Sequence, residues 1–241
     1  MVLPDHRRTR ILDQIGIQVW RSRDAGGEDS PVTASEESRV AAPVDPVNST
    51  EQEPDRYRSL EDISAKVLEC QRCPLHTQRK RAVPGTGNPD ADWMFVGEAP
   101  GREEDIRGLP FVGRAGQLLD SMILALGLSR DQVYIANTIK CRPPNNRDPS
   151  PEEVRKCESY LKAQIGMIQP RVIVALGRIS AHLLLKTPDS VPMRELRGQV
   201  HQHGPTGTPL VVTYHPAYLL RSPDQKARAW EDLLLARLQL K

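Results

Sequence analysis

The 241-residue sequence has few aromatic residues, few cysteines and no long apolar run. Aromatic residues make up 4% of the chain, and only two of them are phenylalanine. No stretch approaches the ~20 consecutive apolar residues of a membrane-spanning helix, so we expect no membrane contact. The chain starts with the polar segment MVLPDHRRTR, which lacks the apolar core of a secretory signal. These absences predict a cytoplasmic protein of bacterial type.

The four cysteines are the only ones in the chain, and their spacing suggests a shared site. Cys70 and Cys73 form a C-x2-C pair, whereas Cys141 and Cys157 lie much further along. Disulfides are disfavoured in a reducing cytoplasm. Four thiolates can bind one zinc ion or one iron–sulfur cluster, and the spacing alone leaves both open, together with four inert buried thiols. A metal centre would hold distant segments of the chain together.

Charge and composition divide the chain near residue 57. The first 60 residues are net acidic and the remainder is net basic, which permits nucleic-acid binding. Residues 24–56 are rich in Pro, Ser, Glu, Asp and Gly and lack apolar periodicity. We therefore predict a disordered or weakly helical extension over residues 1–56, with Ile11, Ile15 and Val19 spaced as in a short amphipathic helix, and one folded domain over residues 57–241.

Strand-like and helical segments alternate after residue 57. Ser59, Gly127 and Pro151 are typical helix-boundary residues. Four short apolar runs predict strands: WMFVG, VYIAN, RVIVAL and PLVVTY. Apolar strands that alternate with helices are typical of a parallel sheet covered on both faces. The predicted fold class is therefore α/β, a three-layer αβα sandwich with a central, mostly parallel four-stranded sheet.

Chemically distinctive loops follow these strands. They are GEAPG at residues 97–101, the segment from Asn137, Gly177-Arg178, and His215-Pro216. Because ligands of such sheets bind beyond the carboxyl ends of the strands, we expect these loops to form the site. Asn137 offers one donor and one acceptor to a planar partner, although a terminal asparagine is commonly only a turn residue. A lone histidine such as His215 is also more often structural than catalytic.

Other candidates have equally ordinary alternatives. Phe111 is suited to stack on a base or to fill a core. Acidic residues around GEAPGREED could orient water or offset a developing cation, but such a run is usually a solvated face. Those acids are Glu98, Glu103, Glu104 and Asp105.

Taken together, the motifs resemble those of the family 4 uracil-DNA glycosylases, iron–sulfur enzymes of the uracil-DNA glycosylase superfamily. The shared features are C-x2-C, GEAPGREED, LPFVGRAGQLL, NTIKCRPPNNRDP, Cys157 and HPAYLLR, over about residues 60–240. The resemblance implies a monofunctional DNA glycosylase of base excision repair. Such an enzyme hydrolyses the N-glycosidic bond of uracil in DNA and leaves an abasic site.

The resemblance also implies individual roles. A [4Fe-4S] cluster would be bound by Cys70, Cys73, Cys141 and Cys157. Substrate would contact Glu98, Ala99, Pro100, Phe111, Asn137 and His215. The catalytic residues would be His215, Glu104 and Asn146. Ala99 stands where the best-known branch of the superfamily has a water-orienting aspartate, so the water-positioning group is left open.

The implied partner is uracil-containing DNA, single- or double-stranded, bound by a monomer that associates with the nucleoid. Candidates for phosphate contacts are Arg142, Arg147, Arg178 and Arg221. Candidates for a wedge into the vacated base stack are Tyr218, Leu219 and Leu220, for which ordinary packing is an equal alternative. A competing hypothesis is a non-catalytic iron–sulfur module, DNA-binding or polymerase-associated, on the same fold.

Overall fold

A mixed six-stranded sheet forms the centre of the computed structural model, which describes residues 57–240. Its spatial order is β1-β3-β2-β4-β6-β5. The strands are β1 (Thr86–Gly87), β2 (Trp93–Gly97), β3 (Tyr134–Asn137), β4 (Val172–Leu176), β5 (Val200–His203) and β6 (Thr208–Thr213). The predictions for residues 1–56, including the amphipathic helix, lie outside the described residues.

The four predicted strands are the parallel centre of this sheet. Strand β2 pairs with β3 and β4, and β4 pairs with β6, all in parallel. The α/β prediction is thus confirmed, but the prediction of four strands was wrong, because β1 and β5 add antiparallel edges. Strand β1 has only two residues and β5 reads Val-His-Gln-His, so neither carries the apolar run that identifies a buried strand.

Helices cover both faces of the sheet. Within residues 57–240, none is long and apolar enough to cross a membrane. The helices are α1 (Leu60–Leu68), α2 (Arg102–Arg107), α3 (Arg114–Ala125), α4 (Pro151–Ile168), α5 (Arg178–Leu185), α6 (Met193–Leu196), α7 (Pro216–Arg221) and α8 (Lys226–Leu238). Four 3-10 turns accompany them, at Pro74–Thr77, Arg130–Gln132, Pro144–Asn146 and Pro223–Gln225.

The two apolar layers follow from the alternation of side chains along each strand. Trp93 and Phe95 of β2 pack with residues of α3 and α8 on one face. Met94 and Val96 pack with residues of α4 and α5 on the other face. Every residue of β2 and β4 is buried, as expected for strands covered on both faces. This arrangement confirms the three-layer prediction.

A third apolar cluster lies where α1 packs on α4. It contains Ile63 and Val67 of α1 and Tyr160 of α4, together with the cysteines. The predicted boundaries of these helices are confirmed: the Ser59 hydroxyl accepts the Asp62 N–H at 3.2 Å, and α4 begins at Pro151. The first helix is therefore fixed beside α4, directly before the C-x2-C pair.

Candidate functional site

A cavity of about 410 Å³ opens beyond the carboxyl ends of the parallel strands. All eight predicted substrate-binding and catalytic residues line it: Glu98, Ala99, Pro100, Glu104, Phe111, Asn137, Asn146 and His215. They come from the end of β3, from the segments that follow β2, β3 and β6, from helix α2 and from the loop that contains Phe111. The parallel register brings these loops to one edge, as the rule for strand ends predicted, and their functional roles stay predictions.

Asn137 is the last residue of β3 and is only 1% exposed. Its side-chain Oδ1 is buried and has no hydrogen-bond partner among residues 57–240. A buried polar atom without a protein partner is costly, so such an atom in a cavity wall is suited to bind a ligand or an ordered water. The amide is thus free to accept a hydrogen bond from a molecule in the cavity.

Gly97 lies beside Asn137 at the end of β2. A Cβ at this position would be 2.5 Å from the Asn137 Oδ1 and 2.6 Å from the Phe111 Cζ. Real Cβ atoms do not approach other atoms so closely. The missing side chain therefore allows the asparagine amide and the phenylalanine ring to meet at the cavity wall.

Phe111 has a left-handed main chain, with φ at 51°, which is unfavourable for an aromatic residue. Two contacts hold it: Arg130 donates to the Phe111 carbonyl at 3.1 Å, and Gly116 packs against the same carbonyl, where a Cβ would come within 1.9 Å. The ring lies 5.6 Å from the His215 ring, tilted by 31°. Strain of this kind is typical of residues fixed for binding.

His215 lies two residues after the end of β6 and is the N-cap of α7. Its Nδ1 accepts the Ala217 N–H at 3.1 Å. Burial, with a smaller contribution from the Arg221 charge, lowers the pKa of His215 to about 4, against a weak opposing effect of Glu104. The imidazole is therefore neutral at pH 7, and because Nδ1 is an acceptor its proton is on Nε2. That N–H is available as a donor without a positive charge.

Glu98 follows Gly97 in the first loop. Burial and the nearby Asp148 carboxylate raise the pKa of Glu98 to about 7, while Arg178 opposes this shift. The carboxyl group therefore changes charge near neutral pH, unlike an ordinary surface glutamate. Carboxyl groups tuned in this way are typical of general acids and bases.

The acids of helix α2, which follows this loop, have different surroundings. Glu104 Oε1 accepts the N–H groups of Val112 and Gly113, both at 2.9 Å, so it fixes the loop that follows Phe111. Asp105 is 3% exposed and accepts the Lys80 N–H at 2.8 Å. Only Glu103 is largely exposed, paired with Arg107 across one helical turn. Glu104 and Asp105 thus accept hydrogen bonds from main-chain N–H groups and stabilise the local structure. The predicted role of Glu104 in ordering water or His215 stays a prediction.

Asn146 and Asp148 form another part of the cavity wall. Asn146 has φ at 52° and its Oδ1 accepts the Arg142 Nε–H at 2.7 Å. The Asp148 carboxylate pairs with Arg178 at 2.9 Å. Of the four arginines predicted to contact phosphate, Arg147 and Arg221 line the cavity. Their phosphate contacts stay predictions.

The three residues proposed as a wedge do not share one environment. Leu219 is 1% exposed and packs into the core beside the sheet, so the prediction is wrong for this residue. The helical period of α7 places its neighbours outward instead. Tyr218 is 37% exposed and Leu220 is 36% exposed, which leaves them available to DNA.

The four cysteines all belong to the apolar cluster between α1 and α4. Cys141 and Cys157 are buried, Cys70 and Cys73 are partly buried, and all four are free thiols. They are close enough to influence one another's ionisation: Cys70 and Cys141 both raise the pKa of the buried Cys157 thiol, which reaches about 12 chiefly through burial. Segments separated by more than 60 residues in sequence thus lie together in this cluster.

The surroundings of the thiols suit an anionic metal–thiolate group. Arg79 donates to the Cys141 Sγ at 2.9 Å, and the Lys140 N–H donates to Cys157. Within residues 57–240, no three His, Cys, Asp or Glu side chains form a group that could hold a single metal ion. These donors would stabilise thiolates, but the described residues do not themselves show a metal centre.

Comparison with known proteins identifies the fold that carries this site. The family model of the uracil DNA glycosylase superfamily matches residues 84–239. The chain is 47% identical to a type-4 uracil-DNA glycosylase of Archaeoglobus fulgidus over 178 residues, 72% of this chain and 89% of the relative. The chain belongs to the uracil-DNA glycosylase superfamily. This confirms the resemblance inferred from the motifs.

Two further members of the superfamily place the chain within it. A type-4 uracil-DNA glycosylase of Thermotoga maritima is 43% identical over 189 residues, 77% of this chain and 97% of the relative. A type-5 uracil-DNA glycosylase of Thermus thermophilus is 33% identical over 174 residues, 64% of this chain and 76% of the relative. The chain is therefore more similar to the type-4 members.

The specific contacts of several cavity residues were not predicted from sequence. Gly97 and Asp148 lie in the motifs GEAPG and NTIKCRPPNNRDP but were given no role, and Arg130 was not singled out, because a close contact or a long-range ion pair is invisible in local spacing. Lys140, a charged residue that is only 1% exposed, was also missed. Its place directly before Cys141 was the one available clue.

Proposed function

We propose that this protein excises uracil from DNA as a monofunctional glycosylase and leaves an abasic site. The observation that carries the proposal is the unpartnered Oδ1 of Asn137 beside the Phe111 ring and the neutral His215 in one cavity. A duplex base must leave the stack to reach such a cavity, which costs a few kcal/mol and is easiest at a mismatch. Stacking on Phe111 offsets part of this cost.

Asn137 supplies the recognition of uracil in this proposal. Its free Oδ1 accepts the N3–H of uracil, and its Nδ2 donates to the O4. Cytosine presents an acceptor at N3 and a donor at C4, so both hydrogen bonds would become repulsive contacts. A site built to pair its buried polar groups with one ligand rejects an analogue that leaves them unpaired.

His215 stabilises the leaving group. When the bond between C1′ and N1 breaks, its electron pair stays on uracil, which leaves as an anion. The Nε2–H of the neutral imidazole donates a hydrogen bond to this anion, and the main-chain N–H groups of the GEAPG loop add to the effect. The sugar carries the complementary oxocarbenium character.

Glu98 is our candidate for orienting the attacking water, since Ala99 has no side chain able to do so. Its carboxylate would also offset the positive charge on the sugar. The water oxygen bonds to C1′ and the released proton passes to the carboxylate or to solvent. No amine attacks C1′, so the DNA strand stays intact.

The rate of excision is expected to rise with pH through about 7, as Glu98 loses its proton. A Glu98→Gln variant should lose this rise, as measured by single-turnover rates between pH 5 and 9. Folding stability should change in the opposite direction. Because the pKa of Glu98 is raised above its ordinary 4.5, its contribution is complete below pH 4.5 and is lost as the pH rises through about 7.

The control for this experiment is Glu103→Gln, which alters an exposed acid in the adjacent helix α2. It should keep the pH profile of the natural protein. If Glu98→Gln keeps that profile as well, the titrating group is a different one and our assignment of the water-orienting residue is wrong.

We also propose a [4Fe-4S] cluster bound by Cys70, Cys73, Cys141 and Cys157. Its contribution is structural, because hydrolysis of the glycosidic bond transfers no electrons. The cluster would join α1 and the C-x2-C segment to the loop after β3 and to α4. It would thereby hold in place the strand end that presents Asn137.

A Cys157→Ser variant is expected to lose iron and stability together. A loss of about 3 kcal/mol would lower the Tm by about 6–12 °C in a domain of this size. Iron per chain, broad absorbance near ~400 nm and thermal unfolding measure the effect. A natural protein that is purified anaerobically without iron and with one equivalent of zinc would contradict the proposed cluster.

An oligonucleotide with one uracil tests the function directly. Cluster-loaded protein should release uracil, and the strand should break only after alkali. The assay should be run with single-stranded DNA and with uracil opposite guanine or adenine. The competing proposal, a non-catalytic DNA-binding module, predicts binding to the same oligonucleotide without uracil release. Sedimentation should show a monomer with and without DNA.

A further inference from the structure

Lys140 is a lysine buried within the domain, three residues after the end of β3. Its side chain is 1% exposed, and a buried ammonium group is unfavourable unless its donors are paired. The Nζ donates to the Asn137 carbonyl at 2.9 Å and to the Gln164 Oε1 at 2.7 Å. The amine therefore joins the main chain of the proposed uracil-reading residue to helix α4.

Gln164 fixes the other end of this connection. It is fully buried on α4, and its Nε2 donates to the Pro84 carbonyl at 2.8 Å and to the Tyr134 hydroxyl at 3.2 Å. Both atoms of the amide are thus engaged, so its Oε1 is held towards Lys140. Because Tyr134 begins β3 and Asn137 ends it, the hydrogen bonds reach both ends of the strand.

The side chain of Asn137 depends on this support. Its Oδ1 has no hydrogen-bond partner among the described residues, so the amide is placed by the packing beside Gly97 and by the position of the main chain that carries it. On the β2 side, Thr138 donates to the Gly97 carbonyl at 2.9 Å. Lys140 supplies the connection to α4, the helix that also carries Cys157.

We propose that Lys140 is a positioning residue for uracil recognition, whose amine fixes the Asn137 carbonyl and so aims the Asn137 amide into the cavity. This inference rests on the proposed function. In this proposal Lys140 and Gln164 affect uracil excision only through the position of Asn137. A lysine that only stabilised the fold would instead act independently of Asn137.

A double-mutant cycle separates these two roles. Lys140→Met keeps the length of the side chain and removes its donors, and should lower the single-turnover excision rate by roughly tenfold or more. Asn137→Ala should lower the rate at least as much. If Lys140 acts through Asn137, the double variant should be no slower than Asn137→Ala alone. Losses that multiply would overturn the proposal.

A second readout measures recognition without the reaction. Free uracil should inhibit the Lys140→Met variant less strongly than it inhibits the natural protein, while the iron content per chain stays the same. Lys162→Met is the matched control, because Lys162 is an exposed lysine of α4 paired with Glu158. It should change neither the rate nor the inhibition. Unchanged inhibition of Lys140→Met by uracil would also contradict the inference.

Gln164→Leu provides the same cycle if Lys140→Met does not fold. It removes the side-chain acceptor of Lys140 and should show a smaller loss that again disappears in the Asn137→Ala background. Failure of the natural protein to release uracil would refute the proposed function itself. Normal uracil release with multiplicative losses would refute only the role of Lys140.

Discussion

Replacement of His215 by alanine is expected to lower the single-turnover rate of uracil excision by about 100- to 1,000-fold. This is the usual cost of removing one hydrogen-bond donor that meets a developing negative charge. The Nδ1 of His215 accepts the Ala217 N–H, which leaves the Nε2–H to donate to the uracil anion in the proposed mechanism. The rate on a uracil oligonucleotide under enzyme excess measures the effect.

Two further variants test whether the loss has this origin. His215→Asn keeps a side chain that can cap α7 but lacks the Nε2–H, so its rate should fall while its Tm stays near that of the natural protein. His201→Ala removes a histidine on β5, outside the cavity, and should keep the full rate. A His215→Asn variant that keeps the full rate would show that capping, not charge stabilisation, is the role of this residue.

Because His215 is neutral in the folded protein, it should make the folding stability depend on pH. Burial lowers the pKa of His215 from its ordinary 6.5 to about 4. A group whose pKa is lowered on folding favours the unfolded, protonated state as the pH falls. Stability should therefore decrease from pH 6.5 to about 4, and this part of the decrease should be absent in His215→Asn.

A Gly97→Ala variant is expected to lose at least about 100-fold in excision rate with the fold retained. The added methyl group would lie 2.5 Å from the Asn137 Oδ1 and 2.6 Å from the Phe111 Cζ, so both of these side chains, which we propose bind uracil, must move. A misplacement of about 1 Å in a binding site can cost this much. Excision rate and inhibition by free uracil would both report the change.

Gly166→Ala is the matched control for this substitution. Gly166 lies within α4, and no atom is within 4 Å of the position that its Cβ would occupy. Alanine should therefore leave the rate unchanged and raise stability by about 0.5–1 kcal/mol through its better helix propensity. If Gly97→Ala retains the natural rate, the close packing at the end of β2 is not needed for uracil binding.

Local patterns predicted much of the fold correctly. Apolar runs located β2, β3, β4 and β6, and boundary residues such as Ser59 and Pro151 located the ends of helices. These features depend on near neighbours in the sequence, which is why they were visible. The edge strands β1 and β5 were missed, because a short strand with one neighbour gains its stability from pairing with a distant segment, not from its own composition. The boundary at residue 57 stays a prediction.

Among the predictions for the site, some were likewise correct and others were wrong or missing. The parallel sheet brought Asn137, Phe111 and His215 to one cavity, as the rule for strand ends predicted. Their chemical roles stay predictions, as does the cluster. Leu219 was wrongly included in a wedge because its exposure depends on how α7 packs against the sheet. The role of Lys140 was missed because a lysine is buried only where hydrogen-bond partners are present. One of its partners, Gln164, comes from helix α4 and is distant in sequence.

The sequence by itself determined the order of the four parallel strands along the chain, the candidate residues and the superfamily, since these depend on residue types at given spacings. Only the tertiary structure decided three other features. Asn137 Oδ1 has no partner among the described residues, His215 carries its proton on Nε2, and Lys140 fixes the Asn137 carbonyl. Each results from burial and from contacts between distant segments, which arise only when the chain packs.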